Sequence, residues 1–205
     1  MRKPWLLPVV MLCMAPADCG EVSDTSPLGG GGEDTAAGSP SLWDGDLPDC
    51  SDELTGVLSS DGKVVVGATA PDFTLESQSG PVRLWGYCEQ IVVICSEPQW
   101  GRDWDETLVT MQSWLEDYGS SGLVPLLLVP ETKGGDVPDA AMLQTLAEAG
   151  GATFPLLADP DWGVSFQYEL DGIVSSCSLL GRDALVLSVD SGVTDRKIEE
   201  ALSDL

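Results

Sequence analysis

The chain has 205 residues, a formal net charge of −25 at pH 7 and no histidine. The missing imidazole excludes Ser-His-Asp triads, Cys-His dyads and histidine-ligated zinc sites. The negative charge repels nucleic acid and anionic membrane surfaces, so neither is predicted as a partner. No residue pattern predicts a cofactor or a metal site.

The first 17 residues have the pattern of a secretory signal peptide. Arg2 and Lys3 form a basic start, residues 5–14 are apolar, and residues 15–17 read Ala-Pro-Ala, as at a cleavage site. The apolar run is too short to span a bilayer. The sequence therefore predicts cleavage near residues 17–19 and export from the cytoplasm.

Cys19 stands just beyond this site, where bacterial lipoproteins carry their lipidated cysteine. Asp18 departs from that pattern, because a small residue is expected before the cysteine. Lipidation of Cys19 and simple secretion after Ala17 both stay open. Either route predicts a protein of the periplasm or outer cell envelope, with membrane contact only through a lipid anchor at Cys19.

Residues 18–62 are predicted to be a flexible acidic tether. They are rich in Gly, Ser, Pro, Asp and Glu, and no Lys or Arg lies between Pro4 and Gly62. Such a segment buries too little apolar surface to offset its ordering entropy. Residues 63–205 are predicted to form the folded domain, beginning with a short strand at residues 64–66.

The central feature of the domain is a β-branched apolar run at residues 91–95, followed by a turn and a helix. An apolar run without polar alternation indicates a strand covered on both faces of an α/β sheet. A turn containing Pro98 follows, and a helical pattern starts at about Asp105. Functional groups gather at the carboxyl ends of strands in open α/β sheets, so this turn is the candidate site.

This strand, turn and helix resemble the active-site segment of the thioredoxin-like superfamily, in which a Trp precedes Cys-x-x-Cys. Aligned on Trp100, the chain has Gly101 in place of the first cysteine and Trp104 in place of the second. The degenerate motif is completed by Arg102 and Asp103. Neither a glycine nor an indole can attack a disulfide or a peroxide, so the resemblance implies a motif without its thiol chemistry.

Two further segments resemble redoxin and peroxiredoxin domains of the AhpC/TSA type. Residues 67–75 read G-A-T-A-P-D-F-T-L, and residues 154–161 read F-P-L-L-A-D-P-D. A peroxiredoxin also needs a cysteine in the first turn of the helix, and residues 102–106 contain none. The family's cis-proline is expected near residues 174–175, where no proline occurs.

The resemblance implies an α/β thioredoxin-like fold. We expect a mixed sheet of four or five strands with helices on both faces, preceded by a β-hairpin that turns at residues 77–80. Apolar spacing predicts a first helix with one buried face and then a parallel strand at residues 123–129. Asp136 is predicted to cap the next helix, and Thr194 the last one.

If Cys13 is removed with the signal peptide and Cys19 is lipidated, four cysteines remain. These are Cys50, Cys88, Cys95 and Cys177, which allow three pairings. The thioredoxin-like resemblance puts the segments of Cys95 and Cys177 on neighbouring strands, which allows contact and a reversible redox pair. The interpretation favoured by residue chemistry is a buried apolar Cys95 and a structural disulfide among the others.

Arg102 is one of nine cationic residues and lies in the candidate site. It could bind an anionic group at the helix N-terminus. Pairing with a neighbouring acid is the favoured interpretation, and Asp103 and Asp105 are explained as charges that complement the helix dipole.

Three classes of function follow. The favoured class is a redox-inactive thioredoxin-like module that binds an unidentified protein of the cell envelope, as a monomer. The second is a thiol–disulfide oxidoreductase or peroxidase that uses Cys95 and Cys177. The third is a structural surface spacer. An exposed apolar groove around Trp100, Trp104 and Trp162 would favour a binding module over a spacer.

Overall fold

The computed structural model describes residues 50, 54–168, 176–189 and 192–203. The predicted signal peptide, Cys19 and the cis-proline position lie outside them. The strands are β1 Thr74–Ser77, β2 Gly80–Arg83, β3 Ile91–Ser96, β4 Leu123–Val129, β5 Leu156–Ala158, β6 Ser176–Leu180 and β7 Val186–Ser188. The helices are α1 Trp104–Tyr118, α2 Ala140–Gly150, α3 Gly163–Gln167 and α4 Asp195–Ser203.

All seven strands belong to one sheet, in the order β2-β1-β5-β4-β3-β6-β7. Strands β3, β4 and β5 are parallel, whereas β6 and β7 add antiparallel strands on the other side of β3. The predicted thioredoxin-like α/β fold is confirmed. The sheet is larger than predicted because the β1–β2 hairpin joins its edge, where Ser77 of β1 pairs with Leu157 of β5.

The core is centred on β3 and β4, in which every residue is buried. Their apolar runs have no polar alternation because helices cover both faces of a central parallel pair. Helix α1 packs on this pair through the face predicted from its spacing, with Leu108, Met111 and Leu115 buried. Tyr118 ends that face only partly buried, and its hydroxyl donates to Glu199 Oε1 of α4 at 3.2 Å.

Helix α2 begins later than its predicted cap. Asp139 is the N-cap, and its Oδ1 accepts a hydrogen bond from Met142 N at 2.8 Å. The prediction that Asp136 is the cap is therefore wrong. The Asp136 carbonyl instead accepts a hydrogen bond from Thr132 N, which closes the preceding loop. Helix α4 starts directly after Thr194, as predicted.

Residues 54–62, which the sequence assigns to the tether, hydrogen-bond to the domain. Val57 N donates to Thr69 O at 2.9 Å, and Leu58 forms an isolated bridge with Val64. That bridge is all that forms where a strand was predicted at residues 64–66. Cys50 is joined to Cys88 by a disulfide. Among the described residues, none of the helices has both the length and the apolarity to cross a membrane.

Candidate functional site

The turn after β3 has the backbone of a thioredoxin-like site but different side chains. Gly101 N donates to Pro98 O at 2.8 Å, which folds the chain back before α1 begins. Trp104, at the place of the second motif cysteine, is 8% exposed and belongs to the core. Trp100 is 50% exposed. The two indoles therefore have different roles, one in packing and one at the surface.

Glu97 occupies the space where the side chain of a first motif cysteine would begin. A Cβ atom added to Gly101 would lie 2.8 Å from Glu97 Cδ, closer still to its Oε1, and 2.9 Å from the Pro98 carbonyl oxygen. Glu97 is only 2% exposed, so its carboxyl group has little room to move aside. A side chain at position 101 would therefore require the buried Glu97 carboxyl group to shift.

Arg102 and Asp103 form an ion pair at the start of α1. The Arg102 Nε lies 3.1 Å from Asp103 Oδ1, and the Arg102 side chain is 90% exposed. An exposed pair of this kind contributes little to stability. The guanidinium group therefore keeps donors that a ligand in solvent can reach.

The structure joins Cys95 to Cys177 through a disulfide. The two residues lie directly opposite each other on the antiparallel strands β3 and β6, with their Cα atoms 4.1 Å apart. Cys50 and Cys88 form the second disulfide, with a Cα–Cα distance of 6.4 Å. Of the three pairings that the sequence left open, the structure has this one.

A cavity of about 360 Å³ opens onto the Cys95–Cys177 disulfide, and both cysteines contribute to its lining. Met111 and Trp114 of α1 contribute to the lining, and so does Val193, from the segment that leads into α4. A hydrogen bond of 2.9 Å from Trp114 Nε1 to Asp195 Oδ1 joins α1 to the start of α4.

The mouth of this cavity carries charges of both signs. Arg102, Asp103 and Glu106 belong to the lining, and Arg102 and Glu106 are exposed. Thr107 and Met111, which also line the cavity, are buried. The lining thus combines exposed charged groups with buried side chains and the two cysteines.

An aromatic surface, defined here as Trp100, Glu131, Trp162 and Phe166, lies beside the motif turn. Both oxygens of Glu131 accept indole N–H groups, from Trp100 at 2.9 Å and from Trp162 at 3.2 Å. The Trp162 ring stacks on Phe166, which is 54% exposed. Trp162 also has a φ of +57°, a left-handed conformation that is uncommon for a bulky residue.

This surface differs from the predicted groove of three tryptophans, because Trp104 is buried in the core and takes no part in it. Phe166 takes the third aromatic place instead. The sequence could not predict that Phe166 takes the place of Trp104, because the stacking of Phe166 on Trp162 depends on the orientation of the short helix α3.

The F-P-L-L-A-D-P-D segment has a structural role at the carboxyl end of β5. Asp159 is 1% exposed and its carboxylate accepts hydrogen bonds from Val164 N at 2.9 Å and from Ser165 N at 2.8 Å. It also accepts the Ser165 hydroxyl at 2.6 Å. Asp159 therefore holds the start of α3 in place and is not a candidate ligand.

Sequence analysis missed Glu97, Glu131, Phe166 and the segment at residues 192–193. A local signal existed for Glu97, because it directly follows a buried strand and stands before Pro98. No local signal existed for the others. No cluster of acids and cysteines suited to a metal ion occurs in the part of the chain that the structure describes.

Comparison with known proteins agrees with this fold. The sequence model of the AhpC/TSA family matches residues 66–181. None of the curated protein sequences compared with the chain gives a significant match.

Similar solved structures include redox proteins of several bacteria. A protein described as the thiol:disulfide interchange protein DsbE of Chlorobium tepidum has a TM-score of 0.57 and 20% identity, over 67% of this chain and 98% of its own. The exposed lipoprotein thioredoxin of Streptococcus pneumoniae has a TM-score of 0.54 and 18% identity, over 66% of this chain and 100% of its own. Peroxidoxin BcpB of Mycobacterium tuberculosis has a TM-score of 0.51 and 19% identity, over 67% of this chain and 94% of its own. At sequence identities of 20% or less, these similarities establish that this chain shares their fold and nothing more.

Proposed function

Because the chain belongs to the AhpC/TSA family and its motif turn carries no thiol, we propose that it is a redox-inactive binding module of the cell envelope. The observation that carries this proposal is the position of Glu97. Its buried carboxyl group fills the space that a nucleophilic side chain at position 101 would need. The family's scaffold is kept, while the group that would attack a disulfide or peroxide has no place at the turn.

An extracytoplasmic location is part of the proposal. The signal-like N-terminus supports export, and two disulfides suit an oxidising compartment. Two structural neighbours are a thiol:disulfide interchange protein and an exposed lipoprotein thioredoxin, which is consistent with export. Lipidation at Cys19 would tether the module to a membrane.

The aromatic surface is the proposed contact with a partner protein. Tryptophan and other aromatic residues are enriched in the energetically dominant parts of protein interfaces. Trp100 is half exposed beside the motif turn, and Glu131 holds its indole in a defined orientation. A spacer would gain nothing from holding two tryptophans on one carboxylate.

Activity assays test the redox part of the proposal. The purified mature chain should neither reduce insulin disulfides in the presence of dithiothreitol nor consume hydroperoxide faster than buffer. A thioredoxin with an intact motif serves as the positive control. Turnover at ordinary enzymatic rates would contradict the proposal, and its loss in Cys177→Ser would assign the activity to the strand disulfide.

Site-specific cross-linking in cells tests the binding part. A photo-reactive phenylalanine analogue at Trp100 should yield one defined cross-linked protein. The same analogue at Val109, which is 67% exposed on α1, is the matched control and should yield none. Equal cross-linking at both positions would contradict a partner site on the aromatic surface.

A second candidate function is thiol–disulfide exchange through Cys95 and Cys177. The observation that favours it is the cavity that gives the disulfide a route to solvent. The opposing observation is burial, since Cys95 is 0% and Cys177 is 7% exposed. A disulfide sulfur must be accessible to the attacking thiolate, so this function requires a substrate small enough to enter.

A further inference from the structure

The shape of the cavity limits which thiol can reach the Cys95–Cys177 disulfide. Its volume of about 360 Å³ is at the low end of the range for small-molecule sites. Cys95 is 0% and Cys177 is 7% exposed, and both line this cavity. Sulfur atoms buried to this extent are poorly accessible to a cysteine held on the surface of a folded protein, which favours a thiol of low molecular mass.

The distribution of charge limits the chemistry of that thiol further. Arg102 at the mouth complements a carboxylate, whereas Asp103 and Glu106 complement an ammonium group. Met111 and Trp114 line the apolar part beside the sulfur atoms. A purely anionic thiol would meet the two acids, and a purely cationic one would meet Arg102.

We propose that the cavity is a binding site for a low-mass zwitterionic thiol, of the amino-acid type, that opens the Cys95–Cys177 disulfide by exchange. The ligand's ammonium and carboxylate groups bind at the mouth, and its sulfur lies at the bottom. This inference rests on the second candidate function and not on the redox-inactive module, because it uses the same two sulfur atoms. If it holds, the motif turn is inactive but the strand disulfide is not. It names the substrate class that the site accepts.

Attack takes place at the Cys177 sulfur, because Cys177 is the more exposed of the two. The ligand thiol loses its proton, and its thiolate forms a mixed disulfide with Cys177. The bond between Cys95 and Cys177 breaks, and Cys95 leaves as a thiolate that takes up the proton. A second ligand thiol then attacks the ligand's sulfur. This step releases the oxidised ligand disulfide and leaves Cys177 as a thiol. Two electrons pass from two ligand thiols to the protein disulfide.

Competing thiols test the proposal on the oxidised mature chain. Free cysteine, 3-mercaptopropionate, cysteamine and 2-mercaptoethanol are compared at equal thiolate concentration. Reactions are quenched with an alkylating reagent, and each cysteine is quantified by mass spectrometry, so that Cys50–Cys88 serves as an internal reference. We expect free cysteine to open Cys95–Cys177 about tenfold faster than the other thiols, as two charge-assisted contacts allow.

Two further readouts belong to the same experiment. The trapped mixed disulfide should be on Cys177 and not on Cys95. In Arg102→Gln, free cysteine should open the Cys95–Cys177 disulfide at about the rate seen with cysteamine. The rate with 2-mercaptoethanol should be unchanged. Arg182→Gln, which removes an exposed arginine outside the cavity, is the matched control and should change no rate.

The outcomes separate the two levels of the inference. If Cys95–Cys177 opens only after the chain is unfolded in urea, both the second candidate function and the zwitterionic site are wrong. If all four thiols open it equally fast, the exchange function stands and the zwitterionic site is wrong. Trapping on Cys95 would also overturn the proposal, because it would require a different route to the sulfur atoms.

Discussion

The motif turn directly follows β3, and the Cys95–Cys177 disulfide joins β3 to β6. Of these two neighbouring regions, only the strand pair contains sulfur. The turn precedes the N-terminus of α1, where a helix dipole would lower the pKa of a thiol. The strand pair lies within the sheet, where its sulfur atoms are buried and joined. In this chain, the element that activates thiols and the thiols themselves are therefore separated. The predictions below test that separation.

Removing the Cys95–Cys177 disulfide should have the largest effect on the unfolding free energy. The double variant Cys95→Ala/Cys177→Ala should lose about 4.5 kcal/mol of unfolding free energy, from the chain-entropy estimate for a sequence separation of 82 residues. Urea unfolding under oxidising conditions measures it. Cys50→Ala/Cys88→Ala, with a separation of 38 residues, should lose about 4 kcal/mol. A loss below about 1 kcal/mol for the first variant would mean that the strand pair is not a structural bond.

Alkaline pH should destabilise the fold, which limits the range in which the two regions can be compared by thiol chemistry. Burial raises the pKa of Tyr87 from 10.0 to about 12. Between these values the unfolded chain loses the phenol proton and the folded chain keeps it, so the unfolding free energy falls as pH rises. The share of the loss that comes from Tyr87 is on the order of 3 kcal/mol.

Urea unfolding at pH 9 and at pH 12 measures this loss. Tyr87→Phe should reduce it without abolishing it, because burial also raises the pKa of Tyr168, which is still present in that variant. Ultraviolet absorbance should show a tyrosine that titrates near pH 12. An unfolding free energy that stays constant over this range would contradict the pKa assigned to Tyr87.

A side chain at position 101 should be costly even without a thiol. Gly101→Ala forces a Cβ into the space of Glu97 and should cost about 1–3 kcal/mol by overpacking. The matched control is Gly134→Ala, where an added Cβ would be no closer than 3.4 Å to another atom. It should stay within about 0.5 kcal/mol.

A double-mutant cycle with Glu97→Ala identifies the cause. The cost of Gly101→Ala should become smaller when the Glu97 carboxyl group is absent, because the two groups compete for one space. An unchanged cost in that background would mean that the collision with Glu97 is not what keeps a side chain out of the turn.

Weakening the aromatic surface should have the smallest effect on stability. Glu131→Gln leaves one indole N–H facing an amide NH₂ and should cost about 1 kcal/mol. Tryptophan fluorescence should change together with it, since one of the two indoles loses its acceptor. Glu148→Gln on α2, which accepts a hydrogen bond only from the exposed Gln144 among the described contacts, is the control. Equal fluorescence changes in both variants would contradict a specific role for Glu131.

The parts of the fold that follow local rules could be predicted from the sequence. β3, β4 and the buried face of α1 follow from apolar runs and helical spacing, because each depends on residues close in the chain. The cap of α2 was assigned to Asp136 in place of Asp139, because several acids precede that helix and the choice depends on loop hydrogen bonds. The size of the sheet was underestimated, since the contact of the hairpin with β5 is not local.

The sequence predicted that the candidate site lacks a thiol, but it did not predict the position of Glu97 or the cavity. The resemblance to a cysteine motif located the turn, and the prediction drawn from it is that Gly101 and Trp104 stand in place of the thiols. That Glu97 fills the vacated space depends on how the turn at Pro98 folds back. The cavity is lined by α1, by Cys95 and Cys177 on two strands, and by residues 192–193, which are distant in the chain, so no local pattern could indicate it.

The amino-acid order alone determined the family, the positions of the main strands and the absence of a nucleophile at the turn, because these are properties of short segments. Only the tertiary structure decided that Cys95 faces Cys177. A strand shifted by one residue would turn one of the two side chains to the opposite face of the sheet. Register between distant strands is set by packing of the whole core, and the chemistry open to these sulfur atoms is set with it.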